Sequence, residues 1–181
     1  FRNPYGLAAG GASLWAADRS AHRIREIILS TAQVITRAGD YYESGNLDAT
    51  GSAARFNYPQ EVAVSGNTLY IADSSNHALR AMNTSTYAVT TLTGGGGYGY
   101  ADGGPAAARF YYPSGMALSG TSLYAVDYNQ VIRRVDTGSR NTLTLAGCAG
   151  PSGVWNGTGT GAGLHYPLAI TPDGEYLYNP D

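Results

Sequence analysis

Lysine is missing altogether: all 11 basic residues of this 181-residue chain are arginine. Charge of either sign is scarce, at 13% of residues against roughly 25% in ordinary soluble proteins. We read the missing lysine as the coding bias of a GC-rich genome. A net charge of −2 gives no general attraction to phosphate backbones or to an anionic membrane surface, so nucleic acid is not an expected partner. Cys148 is the one cysteine, which rules out an internal disulfide and leaves the redox compartment open. It lies in "LAGCAGPSG" with no histidine close in sequence and reads as an incidental thiol. No apolar run approaches the roughly 18 residues of a membrane span, so membrane insertion is not expected. The chain opens at Phe1 without a Met, a basic n-region or a signal core, which reads as a processed chain or a piece of a longer one. Helical periodicity is absent too; "PAAARF" at 105–110 has room for one turn.

What is present is repetition. Four segments align: "FRNPYGLAAGGASLWAAD" from Phe1, "FNYPQEVAVSGNTLYIAD" from Phe56, "FYYPSGMALSGTSLYAVD" from Phe110 and "LHYPLAITPDGEYLYNPD" from Leu164. Pro4, Pro59, Pro113 and Pro167 share a period of 54 or 55 residues with Asp18, Asp73, Asp127 and Asp181. Two anchors in phase over four copies define a repeat protein. In the second copy "EVAVS", "TLYIAD", "ALRAMN" and "AVTTLTG" read as four short strands separated by turn residues, with a glycine-rich connection to the next copy. Four antiparallel strands per period of about 50 residues indicate an all-β fold, a β-propeller of four-stranded blades. The blades fall at about 1–55, 56–109 and 110–163, with a partial blade at 164–181, all in a single domain.

The stretches "NHALR" at 76–80 and "AHRIR" at 21–25 resemble the signature of the NHL repeat, placed after a "LYIAD"-type strand. "LDATGSAARFNYP" and "ADGGPAAARFYYP" resemble that family's inter-blade connection. The third copy, "DYNQVIRR", lacks the histidine and is one residue shorter before Arg133. The resemblance implies a propeller, commonly of six blades, which at this period needs about 320 residues. Three and a third blades would form an open arc, exposing a blade face built for burial and an unpaired strand edge. The expectation is therefore a part of a larger ring; the alternative is a ring closed by two copies.

Asp73, His77 and Arg80 lie within eight residues and invite a catalytic reading. Their recurrence argues for a structural one, since catalysis needs one aspartate distinguished from its siblings. Asp18, Asp73 and Asp127 are expected to accept backbone N–H groups two or three residues on, fixing the hairpin into the third strand. Arg25, Arg80 and Arg133 are expected as turn and edge partners. His22 and His77 sit in adjacent sheets roughly 10 Å apart, too far to share a zinc with bonds of about 2 Å. No catalytic, metal or cofactor site is assigned.

"GGGGYG" at 94–99 and "GTGTGA" at 157–162 match dinucleotide-binding glycine patterns, but no helix follows them, so they read as surface loops. Tyr58, Tyr112 and Tyr166 recur before the prolines and are expected to pack. Tyr41, Tyr42, Tyr98 and Tyr100 lie in connections and are the interface candidates. "NTS" at Asn83 and "NGT" at Asn156 are glycosylation sequons, the first at an outer blade turn. Together these point to a non-catalytic interaction or scaffold module of a secreted or cell-surface protein, with protein partners and with glycans as further candidates. The competing classes are a metal-dependent propeller lyase or hydrolase whose site lies in other blades, and, last, an RNA-binding propeller.

Overall fold

The computed structural model describes residues 1–150, 153–172 and 177–178; Asp181, the fourth repeat aspartate, lies outside them. Apolar residues, many of them β-branched or aromatic, run along most of the strands, and glycine supplies the turn between the first two strands of the first three copies. Gly11, Gly66 and Gly120 stand there at φ +61°, +53° and +57°. The first sheet comprises β1 (Pro4–Gly10), β2 (Ser13–Asp18), β3 (Arg23–Ile28) and β4 (Gln33–Gly39). The second comprises β5 (Pro59–Ser65), β6 (Thr68–Asp73), β7 (Ala78–Asn83) and β8 (Val89–Gly94). The third comprises β9 (Met116–Ser119), β10 (Ser122–Asp127), β11 (Val131–Asp136) and β12 (Thr142–Gly147). A short pair, β13 (Thr171–Pro172) and β14 (Leu177–Tyr178), follows. Each of the first three sheets is a four-stranded antiparallel meander, so the chain is all-β with propeller blades. "PAAARF" makes a single turn, with the N–H groups of Ala107 and Ala108 donating to the Gly104 carbonyl.

Repetition extends to irregularities. The third and fourth strands slip register at Ile24/Arg25, Leu79/Arg80 and Ile132/Arg133, always at the repeat arginine. A bulge re-aims side chains locally, and here it recurs where a guanidinium must turn inward.

The core lies between the sheets. Trp15, Ala17 and Ile24 of the first blade meet Val62, Leu69, Ile71 and Met82 of the second. Tyr70, Ala72 and Leu79 of the second meet Met116, Leu123, Ala125 and Val135 of the third. Phe56 and Phe110, from the connections, are fully buried at the two seams. The other face of the first blade has no neighbour among the described residues: Leu7 is 60% and Val34 38% exposed, whereas their counterparts Val62 and Val89 are 3% and 2% exposed. This is the open-arc exposure that the repeat count implied.

Candidate functional site

The aspartates that close the second strands are buried, Asp18 at 1% and both Asp73 and Asp127 at 0% exposure. Asp73 accepts from the Asn57 backbone N–H at 2.7 Å, from Asn76 Nδ2 at 2.7 Å and from Arg80 Nη1 at 2.8 Å. Asp127 accepts from the Tyr111 N–H at 3.1 Å, the Asn129 N–H at 3.0 Å and Arg133 Nη1 at 3.2 Å. Asp18 accepts from the Arg2 and Asn3 N–H groups at 2.9 and 3.0 Å. The expected forward cap is thus corrected: only Asp127 bonds an N–H two residues on. The shared contact runs back to the segment entering the blade, because the end of the second strand lies beside the start of the first.

Arg80 and Arg133 are corrected too, from edge partners to fully buried cations. Besides its aspartate, each guanidinium reaches the preceding connection. Arg80 bonds the Arg55 carbonyl and Asp48; Arg133 bonds the Arg109 and Ala101 carbonyls and Asp102. A buried guanidinium demands such compensation. Asp48 and Asp102 also accept from Thr91 and Thr144, tying connection to blade. Sequence reasoning missed both acids, although they stand 54 residues apart in the two quoted connections.

His22 and His77 adopt left-handed backbone, and each Nδ1 accepts the N–H of a tyrosine in the next copy, Tyr58 at 3.1 Å and Tyr112 at 3.2 Å. Desolvation lowers the pKa of both imidazoles, with Arg2 adding to the effect at His22. They are neutral clasps between blades. In the third copy Gln130 takes the left-handed position, and its side-chain carbonyl has no partner among the described residues.

These clasps aim a row of aromatic side chains outward. Tyr58, Tyr112 and Tyr166 hold φ of +51°, +47° and +47° before their prolines, and stand 39%, 39% and 46% exposed. Their expected packing role is therefore corrected. Burial falls on the following Pro59, Pro113 and Pro167, and the left-handed turn swings each tyrosine to the surface. His77 meets Tyr98, Tyr111 and Tyr112 at centroid distances of 5.9, 5.8 and 4.6 Å. Tyr128 continues the row to Tyr166 at 5.3 Å.

Beside the row lies a cavity of about 340 Å³ at the inner-strand entries. Its walls include Tyr5, Gln60, Ser114 and Leu168, the residues that follow the four repeat prolines, with Tyr111, Tyr112 and Tyr128 as its rim. The Ser114 hydroxyl is buried without a hydrogen-bond partner among the described residues. Of these residues Tyr112 alone was singled out from sequence.

The four interface candidates separate. Tyr42 is 88% and Tyr98 74% exposed. Tyr41 instead accepts from Arg2 Nη1 at 2.8 Å and lies under Arg23, while the Tyr100 ring covers the Arg133 guanidinium at 5.3 Å. Asn83 is exposed at the outer turn, its Oδ1 accepting the Ser85 and Thr86 N–H groups at 2.9 Å each; Asp136 holds the same turn in the next blade. Asn156 is exposed in its loop. Cys148 is half-buried and unbonded. Among the described residues no three His, Cys, Asp or Glu side chains gather as a metal site. None of their helices is long and apolar enough to cross a membrane.

Residues 56–82 match the family model described as the NHL repeat. The NHL repeat-containing protein 2 of Gallus gallus is 38% identical over 84 residues, which is 46% of this chain and 11% of that protein. The matches span 11% to 27% of the length of the curated relatives. Among solved structures, a Bacteroides thetaiotaomicron protein of unknown function superposes with TM-score 0.77 at 19% identity, over 97% of this chain and 44% of that one. A chain of a nidogen/laminin complex superposes with TM-score 0.61 at 19% identity, over 98% of this chain and 72% of that one.

Proposed function

Since the chain is an NHL-repeat protein on a β-propeller frame, we propose that it is a non-catalytic interaction module that docks a protein partner through its tyrosine row. The observation that carries this is the row itself: exposed rings held at fixed spacing by buried ion pairs and histidine clasps. Tyrosine presents a large apolar surface with a polar tip and little conformational freedom to lose, which is why interfaces are rich in it. Loops and turns on a rigid frame are where propellers place recognition. The likeness to a chain from a nidogen/laminin complex, an assembly of proteins, supports the same reading. We place the protein in a secreted or cell-surface setting, with Asn83 and Asn156 as glycan acceptors; both are exposed.

The test compares the longer parent protein with a Tyr98→Ser/Tyr166→Ser variant of the row in affinity capture from its source cells. Partners retained by the parent and lost by the variant support the reading. Identical partners, or substrate turnover abolished by mutating one loop residue, would overturn it. Loss of a glycosidase-sensitive mobility shift in Asn83→Gln and Asn156→Gln variants tests the secretory setting.

A further inference from the structure

We propose that the cavity at the inner-strand entries is a binding site for a neutral saccharide of one or two sugar rings. The first argument is the pattern of difference among the copies. Positions that serve the fold repeat: the proline, the strand-closing aspartate, the inward arginine and the connection phenylalanine recur. The residue after the proline does not; it is Tyr5, then Gln60, Ser114 and Leu168, and all four line one cavity. A position that the frame leaves unconstrained in four blades, and that converges on one space, has the form of a recognition surface.

The second argument is chemical. The wall carries flat phenol rings and an isobutyl group for the apolar face of a sugar, and a primary amide and hydroxyls for its edge. Among the described residues the wall contains no carboxylate or guanidinium. Arg19 lies nearby but is stacked on the rings of Tyr5 and Tyr58 at 5.6 and 5.2 Å. An uncharged wall gives no counterion to a phosphate or a uronic acid, whose burial would be costly. A volume of about 340 Å³ lies at the small end of ligand pockets, which suits one or two rings rather than a long chain.

The third argument is the unpaired polar group. The Ser114 hydroxyl is buried without a partner among the described residues. The side chain of Gln60 likewise has no hydrogen bond to a described residue. Together the Ser114 hydroxyl and the Gln60 amide offer a ligand both donors and acceptors. Sugar hydroxyls are both. A proline-rich peptide, the other class that docks on tyrosines, offers mainly carbonyl acceptors and would leave the Gln60 amide oxygen unmatched.

Saturation-transfer NMR on the intact parent protein with cellobiose, maltose, lactose and a proline-rich decapeptide tests the proposal. The expected result is saturation of at least one disaccharide with millimolar or tighter affinity, weakened about tenfold by Gln60→Ala and by Ser114→Ala, in line with one lost hydrogen bond. Ser114→Ala keeps the cavity wall nearly unchanged, and a melting curve matching the parent's certifies its fold. Three results would each overturn the proposal: no disaccharide signal, affinity indifferent to both substitutions, or preferential binding of the decapeptide or of a glucuronate-containing disaccharide. Neither substitution touches Tyr98 or Tyr166, so failure here leaves the protein-docking reading standing, and the reverse also holds.

Discussion

Arg80 and Arg133 carry full charge with no access to water, and the blades are arranged around that fact. Each holds one fully buried acid and one half-exposed acid; Asp48 and Asp102 keep 47% and 41% of their side chains exposed. Removing the inner acid leaves a buried cation short of a counterion, so Asp73→Ala should cost about 3–5 kcal/mol in urea unfolding. Asp48→Ala, where water can replace the lost oxygen, should cost about 1 kcal/mol. Equal costs would mean that burial does not set the importance of these contacts. The pH dependence follows from the same environment. Desolvation pushes the carboxyls of Asp73 and Asp127 up to about 6, against the pull of their arginines and backbone N–H groups. The folded state therefore holds these protons more tightly than the unfolded chain, so the contribution is full below about pH 4 and lost as pH rises through about 6. Asp48 and Asp102 act in the opposite sense. Burial raises them, but threonine and arginine hydrogen bonds prevail and lower them, so their contribution is lost on acidification. In melts between about pH 4 and pH 7, Asp127→Asn should show less loss of stability with rising pH than the parent. A steeper loss would reverse the sign assigned to Asp127.

At the scale of the element, the fourth strands end on glycines that the neighbouring strand makes obligatory. Gly39, Gly94 and Gly147 hold φ of +89°, +80° and +92°. A Cβ would lie 2.2, 2.6 and 2.3 Å from the carbonyl oxygens of His22, His77 and Gln130. Gly94→Ala therefore combines backbone strain with a clash against main chain, while Gly66→Ala at a hairpin turn meets nothing within 4 Å. The first should destabilise clearly more than the second, whose cost is the left-handed strain of about 1 kcal/mol. Chemical denaturation of both single variants checks this; equal costs would remove the steric argument. Four-stranded meanders were legible in the sequence because a two-residue alternation and a glycine turn are local signals, repeated in phase. β6 and β7 span the residues that alternation and turn chemistry indicated. The tyrosines before the prolines were misjudged because their exposure depends on a left-handed φ at Tyr58, Tyr112 and Tyr166, which residue type does not encode.

At the scale of the whole molecule, the outer face of the first blade stands uncovered among the described residues. Leu7 and Val34 occupy positions that, one repeat on, are sealed against a neighbouring blade. Arg25 is held more loosely than Arg80: among the described residues its one acid is Asp18 at 3.5 Å, and Phe1 covers it as Phe56 covers Arg80. This isolated chain should self-associate through that face. A Leu7→Lys/Val34→Lys variant should shift sedimentation towards monomer without lowering the melting temperature. An unchanged sedimentation profile would show that the face is tolerated in water.

The four-stranded blades and the recurrence of their anchoring residues were determined by sequence alone, since strand alternation and turns act over a few residues and recurrence multiplies the signal. What those anchors hold was decided only by the tertiary structure. Arg80 finds Asp48 across 32 residues, and four of the residues lining the cavity, Tyr5, Gln60, Ser114 and Leu168, are each a full repeat apart. Such partners are brought together by the stacking of sheets, a geometry that no local pattern specifies.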